Sequence, residues 1–196
     1  MENKQKESEE QKVVGANEEA FGAKFIDPAA IIDRLEIKED MSVGDFGCGT
    51  GYFTFPLARK VGQNGRVYAL DILKEKLEAV ESEAKILGLN NIITQRANLE
   101  LAGGVKMADE SLDWVCLVNM LFQKKNKKVV IQEAARVLKK NGKILVIEWG
   151  DNYTFGPQKE LRVLADTLCD LALECGLSFL REDGIGDFHY CIILEK

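Results

Sequence analysis

Apolar positions along this chain fall into two patterns that alternate. Short continuous runs near 42–46, 66–70, 91–96, 112–118 and 143–149 predict buried strands. Between them, apolar residues recur at helical spacing. Residues 52–61 and 157–175 read as helices, as do 73–87 (Leu73, Leu77, Val80, Ala84 and Leu87 on one face) and 126–139 (Val129, Val130, Ala134, Val137 and Leu138). An earlier helix starts at Asp27-Pro28, with Asp as N-cap and Pro in the first turn, and turns Ile31, Ile32 and Leu35 inward. Gly62, Gly88 and Gly176 close helices, while Asn64-Gly65 and Asn141-Gly142 turn the chain into the next strand. The end of the chain reads as two strands, 177–180 and 188–194. The link Asp183-Gly184-Ile185-Gly186-Asp187 between them is short enough to permit only an antiparallel pair.

Strands that alternate with helices predict a parallel sheet covered on both faces. Five such units and a closing hairpin give seven strands in one α/β, Rossmann-like doubly wound sheet. A chain of 196 residues, 46% hydrophobic, suits one domain of ordinary size. Residues 1–20, rich in Glu, Lys and Gln, read as a polar N-terminal arm, either a frayed helix or a disordered segment, and 21–196 as the domain.

Candidate chemistry begins where the first strand ends. Asp45 is followed by Gly47, Gly49 and Gly51 at every second position. Glycine accepts positive φ and lets another molecule approach the backbone. Asp71 ends the second strand about 20 residues on, the position from which a carboxylate reaches ribose hydroxyls in Rossmann-like folds. The spacing is not the G-x-G-x-x-G of dinucleotide sites, and a carboxylate at Asp45 repels a pyrophosphate while suiting a cationic amino-acid ligand. These features argue against a nicotinamide-dependent oxidoreductase.

With these residues the chain resembles the class I S-adenosylmethionine-dependent methyltransferases, whose first motif, acid-x-G-x-G-x-G, is matched by Asp45, Gly47, Gly49 and Gly51, with Cys48 inside it. The resemblance runs from about Phe21 to the C-terminus. It implies strand order 3-2-1-4-5-7-6 with strand seven antiparallel, and S-adenosyl-L-methionine as cofactor with S-adenosyl-L-homocysteine as product. It also implies site roles. Asp45 orients the glycine loop and the methionine amino group, Asp71 holds the ribose, and Ile72 packs on the adenine unless it is ordinary core. Asn98 stands where relatives often carry an acid, and its carbonyl oxygen can accept from the adenine amine; otherwise it is a surface turn residue. Leu99 offers its backbone N–H to the ring. The run Asp113 to Met120 matches the family's fourth motif, with Asn119 beneath the sulfonium and Asp113 structural. Leu121-Phe122-Gln123 replaces a histidine pair found in many relatives, which excludes histidine acid–base chemistry from that position.

No catalytic triad is visible. Weak candidates for a base are Glu148, Asp151 and Tyr153, in or after strand five; Trp149, Asn152 and Phe155 either line an acceptor pocket with them or belong to a solvated loop. Phe21 and Phe25 either cover the cofactor or pack an N-terminal helix. His189, the only histidine, reads as a core or edge residue. Lys124, Lys125, Lys127 and Lys128 read as the wet face of a helix, with a phosphate-bearing acceptor as the minor alternative. The five cysteines form no CxxC pair and read as reduced core thiols, and no metal site is expected.

Charge narrows the partners. A net charge of −6 argues against nucleic acid, and no run approaches the ~20 apolar residues of a membrane span. The polar start has no apolar signal core, so a cytoplasmic location is expected. The expected function is methyl transfer to a small acceptor of unidentified kind, with oligomeric state unread. The alternative is a weak or inactive cofactor-binding subunit acting through a partner protein, for which the arm would serve in docking.

Overall fold

The computed structural model describes residues 26–151 and 156–196. Helix α1 (Pro28–Ile32) opens on Asp27, whose carboxylate accepts from the Ala29 and Ala30 N–H groups at 3.0 and 3.2 Å. There follow β1 (Ser42–Phe46), α2 (Thr54–Val61), β2 (Arg66–Asp71), α3 (Lys74–Ile86), β3 (Ile92–Arg96) and β4 (Leu112–Val118). A 3-10 turn at Leu121–Gln123 leads to α4 (Lys127–Val137), β5 (Leu138–Trp149), a second 3-10 turn at Lys159–Leu161, α5 (Ala165–Glu174), β6 (Ser178–Ile185) and β7 (His189–Glu195). The seven strands form one sheet in the order β3-β2-β1-β4-β5-β7-β6. Pairs among the first five strands are parallel, and β7 is antiparallel to both β5 and β6.

The central strands are apolar on both sides because helices cover both. On one face Phe46, Val115, Leu117, Ile144 and Val146 pack with α4 and α5; on the other Val43, Cys116, Leu145 and Ile147 pack with α1 and α2. Each such side chain, fully buried, stabilises the fold by about 1.5–3 kcal/mol. Chain order reverses between β1 and β4, so a crevice opens above the carboxyl ends of the strands there, as in other open α/β sheets.

Three expectations needed correction. The helix expected to reach 139 ends at Val137 and β5 begins at Leu138, not Lys143, so Asn141 (φ 61°) and Gly142 lie within the strand at an irregularity and not in a turn before it. The predicted helix 157–175 is helical only from Ala165. Before it, Val163 buries its side chain and its carbonyl accepts from the Tyr190 hydroxyl at 2.9 Å, while Arg162 donates to Pro157 O and Gly150 O. Those long-range bonds take groups that a helix would use. Strand β6 also runs on to Ile185, so the hairpin turn is the tighter 186–188. The polar arm, Phe21, Phe25, Asn152, Tyr153 and Phe155 lie outside the described residues.

Candidate active site

At the carboxyl edge of β1, β2, β3 and β4 a cavity of about 310 Å³ is lined by Gly47, Gly49, Asp71, Ile72, Asn98, Leu99 and Asn119, together with Leu73, Lys76, Ala97, Met120, Gln123 and Lys124. Residues singled out from four separate stretches of sequence thus meet on one wall. Two larger hollows among the described residues, of about 560 Å³ beside Arg59 and Asn91 and about 820 Å³ beside Asp27, Tyr52 and Leu87, gather none of the predicted polar groups.

The glycine loop is held by backbone bonds. The N–H groups of Gly47 and Cys48 both donate to Leu70 O, at 2.7 and 3.0 Å. Gly47, Gly49 and Gly51 have φ of 77, 53 and 93°, the left-handed region that costs an L-residue about 1–2 kcal/mol. Their surroundings differ. A Cβ on Gly49 would meet nothing within 4 Å, whereas one on Gly51 would lie 2.6 Å from the Phe55 ring. Gly49 therefore faces open space in the cavity, and Gly51 lets α2 pack.

Asp71 joins this loop to the second strand. One carboxylate oxygen accepts from Gly49 N–H and the other from Leu73 N–H, each at 3.0 Å. Asp45 lies behind the loop, 2% exposed and outside the cavity lining, where it accepts from the Thr54 hydroxyl at 2.5 Å. Burial, with a smaller contribution from the charge of Asp71, pushes its carboxyl up to about 6 despite the Thr54 bond. Thr54, fully buried, is a partner that the sequence reading missed.

Asn98 starts the loop after β3, and its side-chain oxygen accepts from Glu100 N–H at 3.1 Å. That loop is fastened from below. Glu133 of α4 accepts from Gly103 and Val105 N–H, while Arg136 binds Glu133, Asp109 and the carbonyls of Val105 and Met107.

Asn119 leaves β4 at φ 48°. Its side-chain nitrogen lies 3.2 Å from Nε2 of His189, whose ring packs 4.2 Å from Trp149. Burial lowers the imidazole to about 4. Glu148 is fully buried and does not line the cavity. One of its oxygens accepts from Met120 and Leu121 N–H at 2.9 and 2.5 Å. Burial pushes this carboxyl up to about 7, against those bonds.

Five expectations for the site are altered. Asp45, expected at the methionine amino group, lies behind the loop, and Gly51 packs against Phe55, so neither lines the cavity. The Cys48 side chain turns into a small core with Ala69, Leu77 and Val80, and burial pushes its thiol far up. Glu148 serves the turn after β4 and not the cavity. Asp151 sits at the edge of the loop, 3.6 Å from Lys159. Lys76 and Lys124 line the cavity although the first drew no notice and the second read as a wet surface. Among the described residues no cluster of three or more His, Cys, Asp or Glu could hold a metal, and no helix is long and apolar enough to cross a membrane.

Comparison with known proteins agrees with this geometry. A family model described as a methyltransferase domain matches residues 37–173. The demethylmenaquinone methyltransferase of Geobacillus stearothermophilus is 29% identical over 126 residues, 64% of this chain and 53% of that protein. The ubiquinone/menaquinone biosynthesis C-methyltransferase of Haemophilus ducreyi is 31% identical over 131 residues, 66% of this chain and 49% of that one. The chain thus spans about half the length of the curated relatives it matches. Among solved structures, a SAM-dependent methyltransferase from Aquifex aeolicus superposes with a TM-score of 0.80 at 22% identity, covering 87% of this chain and 89% of that one.

Proposed function

The chain belongs to the methyltransferase-domain family, and from that premise we propose that it moves the methyl group of S-adenosyl-L-methionine to a small-molecule acceptor by in-line displacement. The observation that carries this reading is the single cavity on which Gly47, Gly49, Asp71, Ile72, Asn98, Leu99 and Asn119 converge.

The residues fit a sulfonium nucleoside. The open space beside Gly49 admits a ligand against the backbone. Each Asp71 oxygen uses one lone pair on a backbone N–H and keeps another for a ribose hydroxyl. Ile72, 43% exposed, offers an aliphatic surface that a bound adenine would cover. Asp71 disfavours a phosphate beside the glycine loop, while Lys76 and Lys124 add positive charge elsewhere in the lining.

When bound, the donor supplies a methyl group already made electrophilic by the sulfonium. The task left to the chain is placement. Asp71 and the glycine loop fix the nucleoside, and Asn119 and Met120 bound the cavity wall after β4. Orientation of this kind is worth about 7–11 kcal/mol of a bimolecular barrier, so no dedicated triad is required. The quinone methyltransferases among the relatives support a small acceptor and supply the first compounds to screen.

Isothermal titration tests the donor site. We expect saturable binding of S-adenosylmethionine and S-adenosylhomocysteine, and none of a nicotinamide dinucleotide. Asp71→Ala removes at least one hydrogen bond to a charged group, worth about 1.5–3 kcal/mol, so affinity should fall at least about 10-fold. No binding of millimolar donor by the wild type would overturn the reading. A methyl-donor assay across a pooled metabolite extract, read by mass shift, then identifies the acceptor. Intact binding without any turnover would favour the cofactor-binding subunit instead.

A further inference from the structure

The Asn119 wall of the cavity is held from behind by strands that do not line it. Asn119 adopts a left-handed backbone, and its N–H donates to Ile147 O of β5 at 2.8 Å. The next two amides, of Met120 and Leu121, donate to the buried Glu148. The side chain is held separately by His189, the first residue of β7, at 3.2 Å. Three of the four buried side-chain oxygen or nitrogen atoms that lack a hydrogen-bond partner among the described residues belong to this group: Asn119 Oδ1, His189 Nδ1 and Glu148 Oε2. A buried polar atom without a partner costs about 1–3 kcal/mol, so such a concentration asks for a role beyond folding.

We propose that His189 is a positioning residue of the donor cavity: its Nε2 accepts from Asn119 Nδ2 and so fixes the amide of Asn119 in the wall that the bound ligand meets. The inference rests on the donor reading above. It requires a neutral ring with its proton on Nδ1, because an Nε2 that accepts cannot carry a hydrogen. It also makes the imidazole a reporter of the cavity although the ring itself does not line it. Trp149 packs against the ring at 4.2 Å between centroids, tilted by 39°.

His189 is the chain's only histidine, so long-range ¹H–¹⁵N spectra of the imidazole read this position alone. The full chain should show the Nδ1–H tautomer, and adding S-adenosylhomocysteine should shift the Nε2 resonance. Asn119→Ala should abolish that shift. In titration with S-adenosylmethionine, His189→Leu should bind at least fivefold more weakly, while His189→Gln, which keeps an acceptor near the Nε2 position, should recover most of the loss. An Nε2–H tautomer, an imidazole spectrum that ignores the ligand, or His189→Leu with wild-type affinity would each overturn the proposal. If His189→Leu does not fold, the wild-type and Asn119→Ala spectra still decide. A wild-type protein that binds neither ligand overturns the donor reading and this inference together, whereas binding with a silent imidazole overturns the inference alone.

Discussion

Replacing Glu148 by Gln should change how stability depends on pH. The carboxyl is 0% exposed, and burial raises it from its ordinary 4.5 to about 7. In the window between those values the folded protein holds a proton that the unfolded chain has released. Raising the pH through that window therefore withdraws stability, fully by the time the pH passes the folded value. A rise of that size corresponds to about 3 kcal/mol. Glutamine keeps an oxygen for the Met120 and Leu121 amides but never ionises. Its amide group adds an unpaired buried donor, a cost that does not depend on pH. The stability difference between Glu148→Gln and wild type should thus move by about 3 kcal/mol in favour of the variant between about pH 4.5 and about pH 8. Asp45 titrates in an overlapping window with the same sign, raised from 3.8 to about 6, but it is common to both proteins and cancels in the difference. Urea unfolding at several pH values measures the quantity directly. A difference that stays flat with pH, or that moves against the variant as pH rises, would refute the argument that burial controls this carboxyl.

Gly49→Ala should cost about 1–2 kcal/mol of stability, the strain of an L-residue at φ 53°, since its Cβ meets nothing within 4 Å among the described residues. The same methyl enters the donor cavity, so titration should show at least a tenfold loss of S-adenosylmethionine affinity in a protein that still folds, and wild-type affinity would contradict the placement of the ligand. Gly51→Ala, with its Cβ 2.6 Å from the Phe55 ring, should instead lose more stability than Gly49→Ala in urea unfolding. Arg136→Met strands the buried Glu133, 4% exposed, and should destabilise by about 3–5 kcal/mol. Adding Glu133→Gln should return part of that loss, which thermal unfolding of the single and double variants would read.

What was legible in the chain was local. The turn from Asp45 to Gly51 could be read because positive φ restricts which residues stand there, and the three glycines do adopt it. The central strands β1, β4 and the second half of β5 could be read because both their faces are buried and mostly apolar, whereas β3 and β6 at the sheet edges are mostly exposed or half-buried. Asp71 could be read because its function in the loop depends on a strand end and a spacing, both visible in one dimension. Cys48 carried two readings, a loop residue against the ligand and a core thiol, because alternation with glycine does not say which way a side chain turns; it turns to Ala69 and Val80, as the second reading has it.

The rest depends on partners that the fold brings from far along the chain. His189 meets Asn119 across 70 positions, Glu148 caps amides 28 and 27 positions away, and Tyr190 takes the Val163 carbonyl 27 positions back. In each case one partner, taken alone, fits a bland reading as a core histidine, a strand-end acid or a helix residue. The pairing of β5 with β7 supplies the meaning, because it sets His189 opposite Trp149 and Tyr190 opposite Glu148. An antiparallel final strand starts at the carboxyl edge of the parallel ones and runs away from it, so its first residues lie at the cavity's edge of the sheet while its last lie at the opposite edge. Any side chain at the start of β7 is thereby a neighbour of the site whatever its own sequence context suggests. Topology, more than motif, makes the chain's single histidine a functional candidate.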